Sequence, residues 1–563
     1  MRSISRFRAR LCLEVLAERC LLSTYGLDHM VKVSHADPFA GCTADHPENQ
    51  SGTLYPNTAL ETWLVTDPTN PDHLVGLWQR DRWSTGGARG LEGGYSYDGG
   101  QTWQNFVLPG LGGCTGGPTA RASDPWLAFA SDGTLYAAAL TVTGQGAPGN
   151  AVVSKSNDGG VTWGLPVTIP NSAGADKESI ITDPSNPQVA YLIWTGAYSR
   201  TTDGGQTWTP AQSILTGGGS QIVVLPDGTL VASDACEIYR STDQGQTWGA
   251  HTLVPNCNYN EAVDPNTGQS LRAGLGLGDF AVDPNSGALY IVIEDSTFSN
   301  GRHDSIAITT SLDGGFHWST PVQVNQTPTN VPTLDQQAFI PTVDVAADGT
   351  VGVTYYDFRN NQGGSTLATD YWFVPGTPDG AGGITWGTEL RLTHKSFNYE
   401  DAPFSVYGKM IGDYQGRATV GGDFLNLYGY PPLKHGAAVV NSDAIYFRRV
   451  VNLGDGSAAA DLDATDQDVT AADSTPTDPG LAAALRLDPA GASSAATLIA
   501  DHPAGQSPSV DAPALLGLLA DTAAPAVTRP GHDGTGLSHA APSSAVDVLM
   551  PALLAGGDIQ DVL

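Results

Sequence analysis

Residues 96 to 103 read Ser-Tyr-Asp-Gly-Gly-Gln-Thr-Trp, and the pattern Ser/Thr-x-Asp-x-Gly-x-x-Trp returns at 156–163, 201–208, 241–248 and 311–318. Five copies in one chain mark a repeat, and the residue types say what the repeated element is. Aspartate accepts hydrogen bonds from turn N–H groups, and glycine takes the positive φ that a tight hairpin needs. The closing Trp offers a large apolar face to wedge under the next sheet and an indole N–H that seeks a carbonyl. Asp98, Asp158, Asp203, Asp243 and Asp313 are therefore expected to be turn-formers and not catalytic acids. Their spacings are 60, 45, 40 and 70 residues, so insertions fall in loops while the sheet unit stays constant.

Around each copy, short β-rich runs alternate with Gly, Pro, Asn and Asp turns from about residue 40 to 452, which predicts many short antiparallel strands. The first unit reads as strand A at 62–65, a turn at 67–71, strand B at 74–78, then a longer loop, strand C, the octapeptide turn and strand D. Strand A reopens near Trp126, Ser179, Gln221, Phe280, Phe339 and Ile411, giving seven modules. Module six keeps only a worn octapeptide at 377–386. Module seven has none, and its strands C and D are expected at 437–440 and 444–451.

The octapeptide resembles the Asp-box of the sialidase-type, or BNR-repeat, β-propellers. The resemblance implies an all-β fold, here a seven-bladed β-propeller, with the six blades of authentic sialidases as the alternative. It also implies an active face built from strand A starts and B-to-C loops, opposite the Asp-boxes.

The 563 residues, 40% hydrophobic with 12 Trp, 19 Tyr and 14 Phe, suffice for one large domain with additions. The net charge of −32 argues against nucleic acid or an anionic membrane as partner. The expected partner is a glycan or glycoconjugate, and the chain is expected to be a monomer. Residues 1–25 form a basic start in which 13–23 resembles the "LExLExRxLLS" sequence at the head of large exported bacterial proteins, implying an extracellular or cell-surface destination. Residues 26–39 read as a leader linker. From 453 to 563 the chain is Ala-, Asp- and Pro-rich, and beyond Gly454 it has 15 Asp, no Glu, no Lys and no aromatic residue. Such a tail cannot bury enough surface to fold and reads as disordered. Its apolar end at 546–554 is too short to span a membrane. Without the N-terminal segment four cysteines remain, and Cys42 with Cys114 and Cys236 with Cys257 is the first of three possible pairings, against buried free thiols.

Candidate chemistry lies on the face opposite the octapeptides. Sialidases combine an arginine cluster for the sugar carboxylate, an Asp general acid and a Tyr nucleophile. The segment Trp78-Gln79-Arg80-Asp81-Arg82 resembles their post-strand-B segment, and Tyr355-Tyr356-Asp357-Phe358-Arg359 has the same placement in module six. The resemblance implies Asp81, Tyr356 and Asp357 as catalytic, and Arg82, Arg302 and Arg359, with Glu294, Asp124 and Asp413, as substrate-binding. Where the family has Arg-Ile-Pro on the first strand A, this chain reads Glu61-Thr62-Trp63-Leu64. Six acidic residues, Glu61, Asp124, Asp176, Asp279, Asp335 and Asp413, stand near strand A starts. They suit calcium or sugar hydroxyls, but tying down each one's own loop is the favoured reading, and no cofactor or metal is expected. Two functions follow: an exo-acting glycoside hydrolase on anionic glycans, or a non-catalytic glycan- or protein-binding propeller.

Overall fold

The computed structural model describes residues 25–214, 221–234, 236–255, 257–432 and 442–454. The N-terminal sorting segment, the expected strand at 437–440 and the tail beyond 454 lie outside the described residues.

Among those residues the chain is all-β, its strands pairing into many antiparallel sheets, three of them four-stranded, with one three-stranded sheet that contains a parallel pair. Module one comprises Leu54–Asp67, Asn70–Trp83, Ala88–Ser96 and Gln104–Val107. The first strands of modules two to seven are Arg121–Phe129, Ser179–Asp183, Gln221–Val224, Asp279–Val282, Ala338–Val345 and Gly416–Val420, each within a few residues of its expected start. These first strands touch in order, one to two through six to seven, and the strand of module seven touches that of module one.

The seventh unit differs from expectation. Asp423–Tyr430 pairs with Ala444–Asn452 as second and third strands. The fourth is Tyr25–Leu27, which pairs antiparallel with residues 450–452 of that third strand. The segment read as a linker thus begins with a sheet edge, while Val31–Lys32 pairs with Tyr446–Phe447 further along. A three-residue strand carries too little periodicity to be seen in sequence.

The octapeptides form one repeated hydrogen-bonded turn. In the first, Ser96 Oγ donates to Asp98 Oδ1 at 2.7 Å, Gly100 N donates to Ser96 Oγ, and Thr102 N and Oγ1 donate to the two Asp98 oxygens. At Asp203 the Thr207 hydroxyl and N–H hold the carboxyl down to about 2. In the last copy His317 replaces the threonine. The Trp packs against the preceding sheet and not the next: Trp163 stacks on Phe106 at 5.4 Å, Trp248 meets Tyr198 at 5.3 Å, and Trp103 meets Phe447 of module seven. Only Trp103 and Trp163 find the carbonyl sought, that of their own turn glycine; the buried indole nitrogens of Trp208, Trp248 and Trp318 do without. Disulfides join Cys42 to Cys114 and Cys236 to Cys257. No described helix is long and apolar enough to cross a membrane.

Candidate functional site

The first strands of modules one, two and six carry a bulge near their starts, at the register shifts Leu60/Trp63, Ser123/Trp126 and Phe339/Thr342. Within the bulges Glu61, Asp124 and Ile340 have φ of 56°, 49° and 51°, and Lys177, just before the first strand of module three, has 56°. Side chains other than glycine adopt this conformation at a cost and only where the surroundings enforce it. It turns Glu61, Asp124 and Lys177 out of their strands toward one another.

Lys177 ties three modules together. Its backbone N–H donates to Asp124 Oδ2 at 3.2 Å and its ammonium to Asp413 Oδ2 at 2.8 Å. Asp413 also receives Arg272 Nε at 2.9 Å and Nη2 at 2.5 Å, a bidentate grip. Gln79 donates to Glu61 and to Ser123 Oγ, and Ser123 in turn bonds Asp124. Tyr414 lies under the Lys177 ammonium at 5.0 Å and leans on the stacked pair Trp63 and Trp126. Asp176 is open to solvent, Lys177 and Arg272 partly so, and Asp413 is buried beneath them. The result is a recess with a charged floor and an aromatic wall.

The carboxyl groups of this recess are in unlike states. Burial opposes the Asp413 charge, but Arg272 and then Lys177 outweigh it and hold the group far below the ordinary carboxylate range. Burial raises Glu61, with Asp124 and Asp413 adding to the rise against the pull of Arg82. Although Asp176 is exposed as a residue, burial of its carboxyl against the recess and then the charge of Asp124 raise it to about 6. Glu178 is 2% exposed, neither of its carboxyl oxygens finds a hydrogen-bond partner, and burial pushes it well above its usual value.

Of the residues expected to be functional, Asp124 and Asp413 belong to this recess. Glu294 approaches it from module five, buried, accepting Ile340 N at 2.8 Å and raised by burial. Arg82 borders it, donating to Gln79 Oε1 at 2.5 Å. Asp81 is buried behind it, with φ of 62°, accepting Asn57 N at 2.7 Å and lying 3.6 Å from Arg89. Tyr356 is fully buried among Phe339, Tyr371 and Phe397, and its hydroxyl donates to Gly429 O. Asp357 accepts from Thr327, Trp372 Nε1 and Arg359; Arg359 also pairs with Glu389 and lies over Trp372 at 3.8 Å. Arg302 donates to Ser299 O in its own loop. Among the described residues Asp81 and Tyr356 share no hydrogen-bond partner, and the three arginines are held by different groups, Arg82 by Gln79 and Glu61, Arg302 by Ser299 and Arg359 by Asp357 and Glu389.

The ring of six acids divides. Glu61, Asp124, Asp176 and Asp413 face the recess. Asp279 bonds Gln221, Val343 N and Arg417, and Asp335 bonds Asn361. Asp279 thus ties neighbouring modules, and Asp124 ties both its own bulge, through Ser123, and module three, through Lys177 N, so the favoured reading holds only in part. Among the described residues, the only three potential ligands close enough to share an ion are Cys42, Asp45 and Cys114, two of which form a disulfide. Arg272 went unnoticed in sequence because it stands in the 25-residue stretch between the fourth and fifth sheets, outside every repeat register.

No family model matches the chain, and no curated protein matches it. Solved structures that resemble it include a protein of unknown function from Dyadobacter fermentans DSM 18053 (14% identity, 76% of this chain and 99% of that one, TM-score 0.40). A Hadza microbial sialidase (17%, 71% and 66%, 0.37) and the NanB sialidase of Streptococcus pneumoniae (13%, 71% and 69%, 0.36) are also similar.

Proposed function

We propose that this chain is an exported seven-bladed propeller that binds a neutral glycan in the recess and hydrolyses a glycosidic bond there. The observation that carries the reading is the placement of unlike carboxyls in one recess: Asp413 is buried and gripped by Arg272 and Lys177, while Asp176 stands exposed next to Lys177, whose N–H holds Asp124; the directions of their pKa shifts, Asp413 down and Asp176 up, agree with it. Carboxyl groups pushed apart in this way are what acid–base hydrolysis of an acetal requires.

In this reading protonated Asp176 gives its proton to the leaving oxygen as the C–O bond breaks. Water adds to the anomeric carbon and its proton passes to Asp124. Lys177 and Arg272, both held in place by Asp413, donate hydrogen bonds to sugar hydroxyls. Asp413 already takes up Lys177 Nζ and both Nε and Nη2 of Arg272, so no arginine fork is left free to grip a sugar carboxylate, and an anionic glycan is not proposed. No part is given to Tyr356, which the packing walls in.

The burial of Tyr356 also favours the second reading, a glycan-binding propeller without catalysis. The full-length chain assayed against fluorogenic glycosides, a sialoside included, separates the two. Turnover of a neutral glycoside, lost in Asp176→Asn at unchanged melting temperature, supports hydrolysis. Turnover of none of them, together with retention on a glycan array, leaves the binding reading.

A further inference from the structure

At one place beside the recess the chain holds apolar side chains out to solvent on a rigid support. Phe404–Ser405 and Gly408–Met410 form a tight hairpin with Val406 and Tyr407 at its tip. Gly408 has φ of 119°, and a Cβ there would lie 2.3 Å from Ser270 O. Glycine therefore lets the hairpin lie close against Leu271–Arg272, which pairs with it in parallel. Ser405 Oγ closes the tip, donating to Gly408 O at 2.9 Å and accepting from Tyr407 N at 3.1 Å. Nevertheless Phe404, Val406 and Tyr407 are 42%, 64% and 39% exposed. The Tyr407 ring lies 5.8 Å from the guanidinium of Arg272, the same group that grips Asp413. Recess floor, Arg272 and Tyr407 thus form one continuous surface.

We propose that Tyr407 is the platform of a second saccharide subsite, on which the apolar face of an uncharged sugar ring packs when the preceding ring of the same chain occupies the recess. The proposal rests on the reading of the recess as a glycan site. Continuity with that recess names the occupant, since whatever leaves it past Arg272 crosses the Tyr407 ring. Charge names its class: Arg272 at the lip is held through Nε and Nη2 by Asp413, and Lys409 of the same hairpin pairs with Glu400, so an ionic substituent finds both cations engaged. An aromatic face with a hydroxyl at its edge instead suits a ring that is apolar on one side and polar at its rim.

The test is calorimetric titration of the full-length chain with glucose, galactose and N-acetylglucosamine and with their β-1,4-linked tetramers. The expected result is that a tetramer binds about two- to tenfold more tightly than its monomer, the range a stacked ring contributes. Tyr407→Ala should bring that ratio to about one while leaving monomer affinity unchanged, and Tyr407→Trp should restore it. Val406→Ser, at the same tip, should leave the ratio as in the wild type. A ratio that survives Tyr407→Ala, or falls equally in Val406→Ser, overturns the subsite while monomer binding keeps the recess reading intact. Failure of the wild type to bind any of the six sugars overturns both.

Discussion

Asp413 and Lys177 meet at 2.8 Å although 236 residues of chain separate them, and the contact joins module three to the entry of module seven across the recess. Asp413→Asn would leave the Lys177 and Arg272 cations facing each other without an anion. Breaking a buried pair in this way costs about 3–5 kcal/mol, so thermal denaturation should show a fall of several degrees. Replacing all three groups together, as Asp413→Leu, Lys177→Met and Arg272→Met, should recover part of the loss, and the recovery measures the coupling.

A narrow pH optimum of stability is expected on the acid side. Glu92 and Asp304 are raised by burial to about 7. Their folded forms hold protons that the unfolded chain releases near its ordinary pKa, so stability falls as pH climbs from that value through the folded ones. The lowered groups, Asp203, Asp243 and Asp313 at about 2, act oppositely, losing their contribution as pH drops below about 4. Melting temperature measured from pH 3 to 9 should therefore peak near about pH 5. A peak above neutrality would contradict these assignments.

Gly159 marks a seam between modules. It has φ of 73°, and a Cβ there would lie 2.3 Å from Cε1 of His73, whose ring bonds Asp67 and Gly159 O. Gly159→Ala should cost about 1–3 kcal/mol beyond the penalty of the left-handed conformation. Gly174→Ala, with φ of 82° and open space around it, supplies that penalty alone, about 1–2 kcal/mol. Equal losses in urea unfolding would show that the seam yields freely.

Tyr356→Phe removes one hydrogen bond, to Gly429 O, and keeps the ring among its aromatic neighbours. The expected loss is about 1 kcal/mol, with turnover and sugar binding unchanged. Arg359→Ala strands the buried carboxyls of Asp357 and Glu389 and should destabilise by about 3–5 kcal/mol. Loss of turnover in Tyr356→Phe without loss of stability would return that hydroxyl to the chemistry.

The all-β class, the seven module starts and the octapeptide turns were legible because each is written locally, in turn residues and period-two runs. The recess was half legible. Glu61, Asp124, Asp176, Lys177 and Asp413 stand at corresponding places in their modules, so repeat register finds them. Arg272 and Gln79 do not: one comes from a two-residue strand between the fourth and fifth sheets, and the other sits mid-strand and meets Glu61 and Ser123 only because a bulge turns Glu61 toward it. Burial misled in the other direction. The run from Tyr355 to Arg359 carries the residue types of a catalytic segment, and only three-dimensional packing shows Tyr356 closed in by Phe339, Tyr371 and Phe397.

The pairing of Tyr25–Leu27 with residues 450–452 sets a clock on biogenesis. Tyr25–Leu27, among the first residues to leave the ribosome, wait for the sheet made last before they acquire a partner. Throughout that interval the third strand of that sheet, once made, presents an open edge, the kind of surface through which chains join to one another. Any process acting on the amino end, whether a sorting machinery gripping it or a protease trimming it, competes with that pairing for the same few residues. Trimming past Leu27 would leave that sheet one strand short.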